Sequence, residues 1–366
     1  MAKVSKDDGV KFVGMDVGDR FSHYCCLDER RLVAGIGKFA TTRVGLQKEF
    51  GKVSPRTMIL EAGTHSMWIA EVVREMGHTP IVVDARRLAL VAKSLKKNDR
   101  SDAEILARVG SSELELVSQV HHRSPETMEG RSVLRLRDFL VGTRTAAIST
   151  LRGIVKPFGA RLPACDAKSF LNKAAASIPE NLRESTKPML ELIESLEEQI
   201  AAYDDLLNAL VEKYPAAQVL QQIRGVGPIT AVAFVLTIED PRRFRDSRRV
   251  GSYIGLTPRV RQSGDKDPQL RITKAGDPLL RKLLVQCAHY IVGPRGPACD
   301  LQRFGRALSE RGGKSAKKRA VVAVARKLAV LLHRLWRNGE VYDPDYKLKP
   351  TNSPRTDRAK TLALKA

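Results

Sequence analysis

The first forty residues alternate between short apolar runs and polar turns. The first run, residues 11–17, is dominated by bulky and β-branched side chains and ends at Gly18, which is typical of a buried strand followed by a turn. Residues 22–27 and 32–40 form two further strand-like runs, separated by a polar turn at 28–31. The pattern therefore predicts an antiparallel meander of three strands.

Beyond residue 40, helical and strand-like segments alternate. We expect strands at residues 57–61 and 80–83, and helices at residues 42–50, 65–76, 86–94 and 103–109. Three strands followed by alternating helices and strands is the element order of a ribonuclease-H-like fold. The N-terminal part is therefore predicted to be an α/β domain of this type.

Four carboxylates fall at the ends of these elements. They are Asp16 on the first strand, Glu61 at the end of the fourth, and Asp99 and Asp102 before the helix at 103–109. Taken singly, each acid is an ordinary helix cap or strand end. Mg²⁺ prefers oxygen ligands, and a pair of such ions can stabilise both the entering and the leaving oxygen of a displacement at phosphorus. The four acids together therefore predict a Mg²⁺ site for phosphodiester chemistry.

The start of the helix near residue 103 has two interpretations. If the helix already includes Asp99, then Asp99 and Asp102 are three residues apart and share a face. Ser101 with Glu104 also fits a capping box, which would start the helix just before Asp102 and leave Asp99 on the turn. Both placements keep the two carboxylates close together.

A helical section is predicted at residues 126–215. Within it, apolar residues recur at alternating spacings of four and three from Met189 to Tyr214, the pattern of a coiled coil. This segment is acidic inside a basic protein, which argues against contact with a phosphate backbone. Two interpretations stay open, an intramolecular helical hairpin and pairing between subunits.

A Gly-x-Gly turn at Gly225 and Gly227 precedes an apolar helix predicted at 231–238. Such a turn exposes backbone N–H groups toward an anion, so both glycines are candidate nucleic-acid contacts. A plain tight turn between two packed helices fits the same pattern equally well.

A polar loop at residues 257–266 carries Ser263 among basic side chains. Arg259, Arg261 and Lys266 surround this serine in the sequence and are candidate phosphate contacts. Judged by the local sequence alone, a Ser-Gly pair in such a loop is an ordinary turn, since both residues are common turn formers.

Two amphipathic helices are predicted after this loop, at residues 278–292 and 315–336. The second begins with a basic cluster that includes Lys317 and Lys318, which suits phosphate binding and is also common at a solvated helix start. From residue 347 onward the chain is polar, basic and contains Pro, which predicts a disordered tail.

The composition indicates which kind of partner the protein binds. The 366 residues include 63 Lys and Arg against 41 Asp and Glu, which gives a formal net charge of +22. An imbalance of this size points to a polyanion as partner. The apolar fraction of 43% is that of a globular protein, and the length allows two or three domains with their own cores.

The cysteines and the apolar runs exclude several classes of protein. Five cysteines with no Cys-x-x-Cys spacing support neither a disulfide framework nor a zinc finger, so we expect a reduced, cytoplasmic protein. The N-terminus lacks the continuous apolar segment of a signal peptide. The longest apolar run, residues 229–238, is too short to span a bilayer, so no membrane role is expected.

These observations divide the chain into four expected segments. They are an α/β domain at 1–125, a helical coiled-coil section at 126–215, a mostly helical domain containing Ser263 at 216–345, and a basic tail at 346–366.

Six motifs carry a family resemblance, and they extend over nearly the whole chain. The motifs are Gly14-Met-Asp-Val-Gly18, Leu60-Glu-Ala-Gly63, Lys97-Asn-Asp-Arg-Ser-Asp-Ala103, Gly225-Val-Gly-Pro228, Gly255-Leu-Thr-Pro-Arg259 with Arg261-Gln-Ser-Gly264, and Val322-Ala-Val-Ala-Arg-Lys327. In these motifs the chain resembles the DEDD-type transposases of bacterial insertion sequences, whose N-terminal domain is similar to RuvC-like Holliday-junction resolvases.

The resemblance implies a role for each matching residue. Asp16, Glu61, Asp99 and Asp102 would be the DEDD ligands of Mg²⁺, and Ser263 would attack DNA to form a covalent phosphoserine link. It also implies guidance by a structured noncoding RNA that pairs with donor and target DNA. The expected assembly is a homo-oligomer, a dimer or a tetramer, in which the RuvC-like domain of one subunit meets the serine domain of another.

Three functional hypotheses follow. The preferred one is a transposase or recombinase that cuts and rejoins DNA with Mg²⁺ and a serine nucleophile. A site-specific DNA invertase of the same family would use the same residues. A non-catalytic nucleic-acid-binding protein would need the basic surface and the Gly-Val-Gly turn, but not four acids and a serine together.

Overall fold

The computed structural model describes residues 9–84, 99–112, 119–262, 268 and 270–346. The chain folds as two compact units, Met1–Arg123 and Ser124–Ala366. The helix predicted at 86–94 and the tail predicted from residue 347 lie outside the described residues. The further division of the second unit near residue 215 stays a prediction.

The first unit is built on a five-stranded sheet. Its strands are β1 (Val10–Asp16), β2 (Phe21–Asp28), β3 (Val33–Ala40), β4 (Thr57–Glu61) and β5 (Thr79–Val83). The spatial order is β3-β2-β1-β4-β5. Strands β1, β2 and β3 pair antiparallel, whereas β4 pairs parallel with both β1 and β5. The predicted meander and mixed α/β architecture are therefore confirmed, and the sheet is compatible with a ribonuclease-H-like domain.

Helices cover both faces of this sheet. They are α1 (Arg43–Phe50), α2 (Ser66–Glu75) and α3 (Asp99–Ser112). Because side chains alternate along a strand, Val13 and Met15 pack with residues of α1 and α2. Phe12 packs on the opposite face, against Ala103 and other residues of α3.

Helices and short turns make up the second unit. The α-helices are α4 (Pro125–Ile154), α5 (Phe170–Ala174), α6 (Arg183–Lys213), α7 (Pro215–Leu220), α8 (Pro228–Ile238), α9 (Arg248–Tyr253), α10 (Pro278–Val292), α11 (Asp300–Glu310) and α12 (Ala316–Asn338). Short 3₁₀ turns lie at Lys156–Phe158, Ala175–Ser177, Glu180–Leu182 and Pro241–Arg243. Helix α8 is apolar on all sides and lies at the centre of the main core, as expected for such a helix.

The two long helices α4 and α6 form an antiparallel hairpin. Three ion pairs join them: Glu126 with Lys213, Arg137 with Asp204, and Arg144 with Glu197. Residue numbers rise on α4 as they fall on α6, so the helices run in opposite directions. The apolar repeat of α6 is buried within the chain at Ile193, Leu196, Ile200 and Leu207. Of the two interpretations, the structure contains the intramolecular hairpin, and pairing between subunits stays a prediction.

The second unit contains a helix that was not expected from the sequence. Helix α11 was not predicted, although its one buried face packs on α10 and α12. Gly and Pro residues at 293–297 and a Gly pair at 312–313 border it, and such residues favour loops over a short helix.

Candidate functional site

Two of the four predicted acids lie side by side in the first unit. Strands β1 and β4 are parallel, and their last paired residues are Met15 and Leu60. Asp16 and Glu61 each come one residue later and end their strands. Neighbouring parallel strands have their carboxyl ends at the same edge of the sheet. Asp16 and Glu61 are also in register with each other, so both side chains lie on the same face. Both residues are half-buried.

Helix α3 crosses that face close to the strand that carries Asp16. A Cβ atom at Gly14 would lie 2.1 Å from the carbonyl oxygen of Ala103 and 2.3 Å from the amide nitrogen of Ala107. Only glycine therefore allows α3 to approach β1 this closely. Ala103 directly follows Asp102, and Gly14 lies two residues before Asp16, so this contact draws the first turn of α3 toward β1.

The structure decides where helix α3 begins. The helix includes Asp99 and Asp102, so the two acids share a face as the first placement predicts. Ser101 lies within the helix, so the predicted capping box at Ser101 is wrong. The side chain of Asp99 lies outside the described part of the structure.

Within the described residues, no three His, Cys, Asp or Glu side chains are grouped as a metal site. The structure therefore brings Asp16 and Glu61 to one edge, with Asp102 on the covering helix, but it does not assemble a ligand set. The donor chemistry of these residues suits a hard cation, because every one is a carboxylate. The four-residue Mg²⁺ site stays a prediction.

A contact between a histidine and an aspartate, which was not predicted from the sequence, lies at the same edge of the sheet. His65 Nε2 is 3.1 Å from Asp19 Oδ1, and Trp68 Nε1 donates to His65 Nδ1 at 3.1 Å. Because indole N–H is only a donor, His65 Nδ1 accepts and Nε2 carries the proton toward Asp19. The pair links the loop after β1 to the loop after β4. Asp19 and His65 follow Asp16 and Glu61 by three and four residues, which is a signal that the sequence offered.

In the second unit, the loop that carries Ser263 has a narrow, well-bonded base. Arg259 N donates to Arg271 O at 2.9 Å and Thr273 N donates to Thr257 O at 2.9 Å, around an antiparallel bridge between Pro258 and Ile272. Ser263 and Lys266 lie outside the described residues. Both Arg259 and Arg261 are exposed.

Arg281 holds this base from below and was not singled out in the sequence. Its Nη1 donates to the carbonyl oxygens of Ile254 and Ala275, each at 2.9 Å. These carbonyls lie on the two sides of the serine loop, so one guanidinium ties both ends together. No sequence signal marks this residue, since it resembles any arginine on an amphipathic helix.

The Gly-Val-Gly turn opens helix α8. Gly225 has a φ of +103°, and a Cβ there would lie 2.7 Å from Tyr290, so both backbone conformation and space require glycine. Gly227 precedes Pro228 at the helix start and provides no side-chain cap. The first turn of α8, of which Gly227 and Pro228 are exposed, therefore keeps backbone N–H groups without a capping side chain.

Lys317 and Lys318 are exposed at the start of α12. Lys318 lines a cleft of about 1110 Å³ between α11, α12 and the base of the serine loop. We call it the α12 cleft; the loop base contributes Pro258, Leu270, Arg271 and Ile272.

Two family models match this chain. A DEDD-type transposase model matches residues 13–158, and a model described as the transposase IS116/IS110/IS902 family matches residues 217–299. The chain belongs to the DEDD-type family of insertion-sequence transposases. The first match contains Asp16, Glu61, Asp99 and Asp102, and the second contains the Gly-Val-Gly turn and Ser263.

Relatives of this transposase family resemble the chain over most of its length. The transposase for insertion sequence element IS1111A of Coxiella burnetii is 28% identical over 91% of this chain and 91% of its own. The transposase for insertion sequence element IS1328 of Yersinia enterocolitica is 27% identical over 76% of this chain and 83% of its own. A pilin gene-inverting protein of Moraxella bovis is 26% identical over 83% of this chain and 87% of its own.

None of the described helices combines the length and the apolar character needed to cross a bilayer.

Proposed function

We propose that this protein is a transposase or recombinase that cuts and rejoins DNA strands. The observation that carries the proposal is the pairing of Asp16 and Glu61 at neighbouring strand ends, beneath a helix that begins with Asp99 and Asp102. Family membership supports the same class of reaction, since curated relatives are transposases and pilin gene-inverting proteins.

Asp16, Glu61, Asp99 and Asp102 would hold Mg²⁺. The bound metal would supply charge stabilisation at the oxygens of the reacting phosphodiester. Buried or half-buried acids are costly unless paired or metal-bound, so the half-buried Asp16, Glu61 and Asp102 are consistent with a cation partner.

Ser263 is the proposed nucleophile. Its hydroxyl oxygen forms a bond to phosphorus, the bond from phosphorus to the leaving DNA oxygen breaks, and the serine proton passes through a base to that leaving oxygen. A DNA hydroxyl then attacks the phosphoserine, which restores the phosphodiester and returns the proton to Ser263. Arg259, Arg261 and Lys266 would stabilise the negative charge that builds up at phosphorus, and Arg281 would keep the loop in place.

The remaining candidate residues, two glycines and two lysines, would hold nucleic acid. Gly225 and Gly227 offer backbone N–H groups at the start of α8, and Lys317 and Lys318 offer positive charge at the start of α12. The family resemblance also implies a structured noncoding guide RNA, and a net charge of +22 supports binding of both RNA and DNA. We further propose a homo-oligomer in which the first unit of one subunit meets the serine domain of another.

A site-specific DNA invertase is the second candidate. The observation that favours it is the similarity to the pilin gene-inverting protein of Moraxella bovis. Both candidates use the same residues, so DNA with defined element ends separates them: a transposase joins these ends to a new target, whereas an invertase reverses the segment between two sites.

The carboxylates provide the test of the proposal. Asp16→Asn and Glu61→Gln keep side-chain size but remove a charged ligand oxygen, so Mg²⁺-dependent strand cleavage should fall by a factor of about 100 or more while the fold survives. The matched control is Glu71→Gln, because Glu71 is exposed on α2, on the other face of the sheet. Cleavage by Asp16→Asn at the wild-type rate would remove this site from the mechanism.

A further inference from the structure

The α12 cleft is a large concave surface next to the serine loop. Its volume of about 1110 Å³ slightly exceeds the roughly 300–1,000 Å³ of pockets for single small molecules. Its floor is mainly apolar, with Leu301 and Phe304 from α11 and Val330 and Leu331 from α12. An open apolar floor of this size needs an occupant that brings apolar surface of its own.

The rim of the cleft is strongly basic. Among the described residues that line it, nine are Lys or Arg and two are acidic. One of the two acids, Asp300, is already paired with Arg303 at 2.8 Å. Arg319, Arg326 and Arg334 repeat along the cleft face of α12, over roughly 22 Å of helix at 1.5 Å per residue. The charge therefore favours an extended polyanion over a neutral ligand.

Two cations in the cleft each lie over an aromatic ring. Lys327 Nζ lies 3.8 Å from the centre of the Phe304 ring, and Arg334 Cζ lies 5.2 Å from the centre of the Tyr346 ring. Tyr346 is 54% exposed, so its ring has surface left for a second flat group. Positive charge interleaved with stacking surfaces is the arrangement that binds single-stranded nucleic acid.

We propose that the α12 cleft holds unstacked bases of single-stranded DNA next to the base of the serine loop, with their phosphates on the basic rim. A duplex hides its base faces, whereas a strand that has been opened for cutting exposes them. The wall formed by Pro258, Arg271 and Ile272 leads directly into the serine loop, so a strand in the cleft continues toward the proposed nucleophile. This inference rests on the proposed function and adds a base-binding site to it.

Two other occupants fit the surface less well. The chain's own residues after Tyr346 carry six Lys or Arg against one Asp, so they would be repelled by the rim. The acidic helix α6 of a second copy has the right charge, but it carries only one aromatic ring, Tyr203, to match the two rings of Phe304 and Tyr346. The second copy is kept as an outcome of the test.

The test compares two labelled single-stranded DNA oligonucleotides, one normal and one with a central run of abasic sites. Both carry the same phosphates, so any difference in affinity reports on the bases. Full-length protein should bind the normal strand about tenfold more tightly, because stacking on aromatic side chains favours it. Tyr346→Leu and Phe304→Leu should reduce this preference, and Tyr346→Leu affects an exposed side chain, so its fold is preserved.

Charge variants separate the rim from the floor. Arg326→Gln should weaken both oligonucleotides alike and reduce the slope of log affinity against log salt by about 0.7. Arg306→Gln is the matched control, because Arg306 is exposed on α11 outside the cleft. Equal binding of normal and abasic strands, or an unchanged preference in both aromatic variants, would overturn the proposal. So would tighter binding of RNA than of DNA of the same sequence.

A second copy of the chain in the cleft would give a different experimental result. If a second copy fills the cleft, Arg326→Glu lowers the molar mass seen by light scattering and leaves the base preference unchanged, which overturns the proposal. The proposed base-binding cleft and the proposed serine chemistry can also be overturned separately. A Ser263–DNA adduct with no base preference removes only the cleft site, whereas base preference in a protein that forms no serine adduct removes only the serine chemistry.

Discussion

At the scale of single residues, Gly14 determines how closely α3 approaches the strand that carries Asp16. Without a side chain at this position, the backbone of α3 lies directly on β1, two residues from Asp16. The sequence predicted that Asp16 and Glu61 end their strands, because acids that close apolar runs are visible as a pattern. The role of Gly14 was not visible, since it depends on which helix crosses the strand. The link between Asp19 and His65 was missed, although their spacing after Asp16 and Glu61 was visible in the sequence.

Gly14→Ala should therefore destabilise the first unit. The new methyl group overlaps backbone atoms of Ala103 and Ala107, which have no flexible side chain to move aside, so we expect a loss of about 3 kcal/mol, the upper end of ordinary overpacking. Gly35→Ala on β3 is the matched control, because no atom lies within 4 Å of its added Cβ. Chemical denaturation measures both. A Gly14→Ala protein as stable as Gly35→Ala would contradict the close approach of α3.

At the scale of elements, a buried ion pair fixes helices around the central helix α8. Arg131 on α4 donates to Asp277 at 2.5 Å and to Thr237 of α8 at 3.0 Å, and Asp277 caps α10 by accepting from Leu280 N at 2.8 Å. Burial disfavours the charged carboxyl, but the bonds from Leu280 and Arg131 outweigh it and hold the pKa of Asp277 below its ordinary value. Apolar periodicity predicted most of these helices, whereas this cross-link between distant segments left no local pattern.

The pH dependence of this pair has a defined sign. Because the folded pKa of Asp277 is depressed, its contribution is fully present above about pH 3.8 and is lost as pH falls through the folded pKa. Asp277→Asn keeps a cap but leaves Arg131 buried without its charge partner, so the free energy of unfolding should fall by about 3–5 kcal/mol at neutral pH. The loss of unfolding free energy on acidification should also be smaller in Asp277→Asn than in the wild-type protein.

Asp246→Asn is the control for this pair, because Asp246 bonds Arg248 N at the start of α9 but is exposed. It should cost much less, since an exposed ion pair is screened by water. Thermal unfolding of the three proteins between pH 3 and pH 7 makes the comparison. Equal losses in Asp277→Asn and Asp246→Asn would show that the buried pair does not stabilise the second unit.

At the scale of the whole molecule, charge was the most direct sequence signal. A net charge of +22 and the order of motifs indicated a nucleic-acid enzyme before any fold was known. The packing of the helical hairpin within residues 126–215 was less predictable. In the structure, Leu134 and Leu207 of the hairpin share a core with α8 and α12, and a tertiary contact of this kind has no periodicity to reveal it.

Binding to nucleic acid should be strongly salt-dependent. Each neutralised phosphate releases counterions, so log affinity should fall linearly with log salt. Replacing Lys317 or Lys318 with Gln should lower the slope by about 1 each, while Lys168→Gln, at an exposed site on another segment, should not change it.

A structured RNA from beside the gene should bind more tightly than an unrelated RNA of equal length. Equal affinity for both at physiological salt would count against RNA guidance.

The most direct test of the central claim is a search for DNA on Ser263. The protein is incubated with Mg²⁺ and donor and target DNA, digested, and analysed by mass spectrometry for a nucleotide attached to that serine. The account predicts the adduct in the wild-type protein, and its loss together with strand exchange in Ser263→Ala. A Ser263→Ala protein that still forms a covalent adduct or still exchanges strands would contradict it, and a hydrolytic role for the carboxylates would take its place.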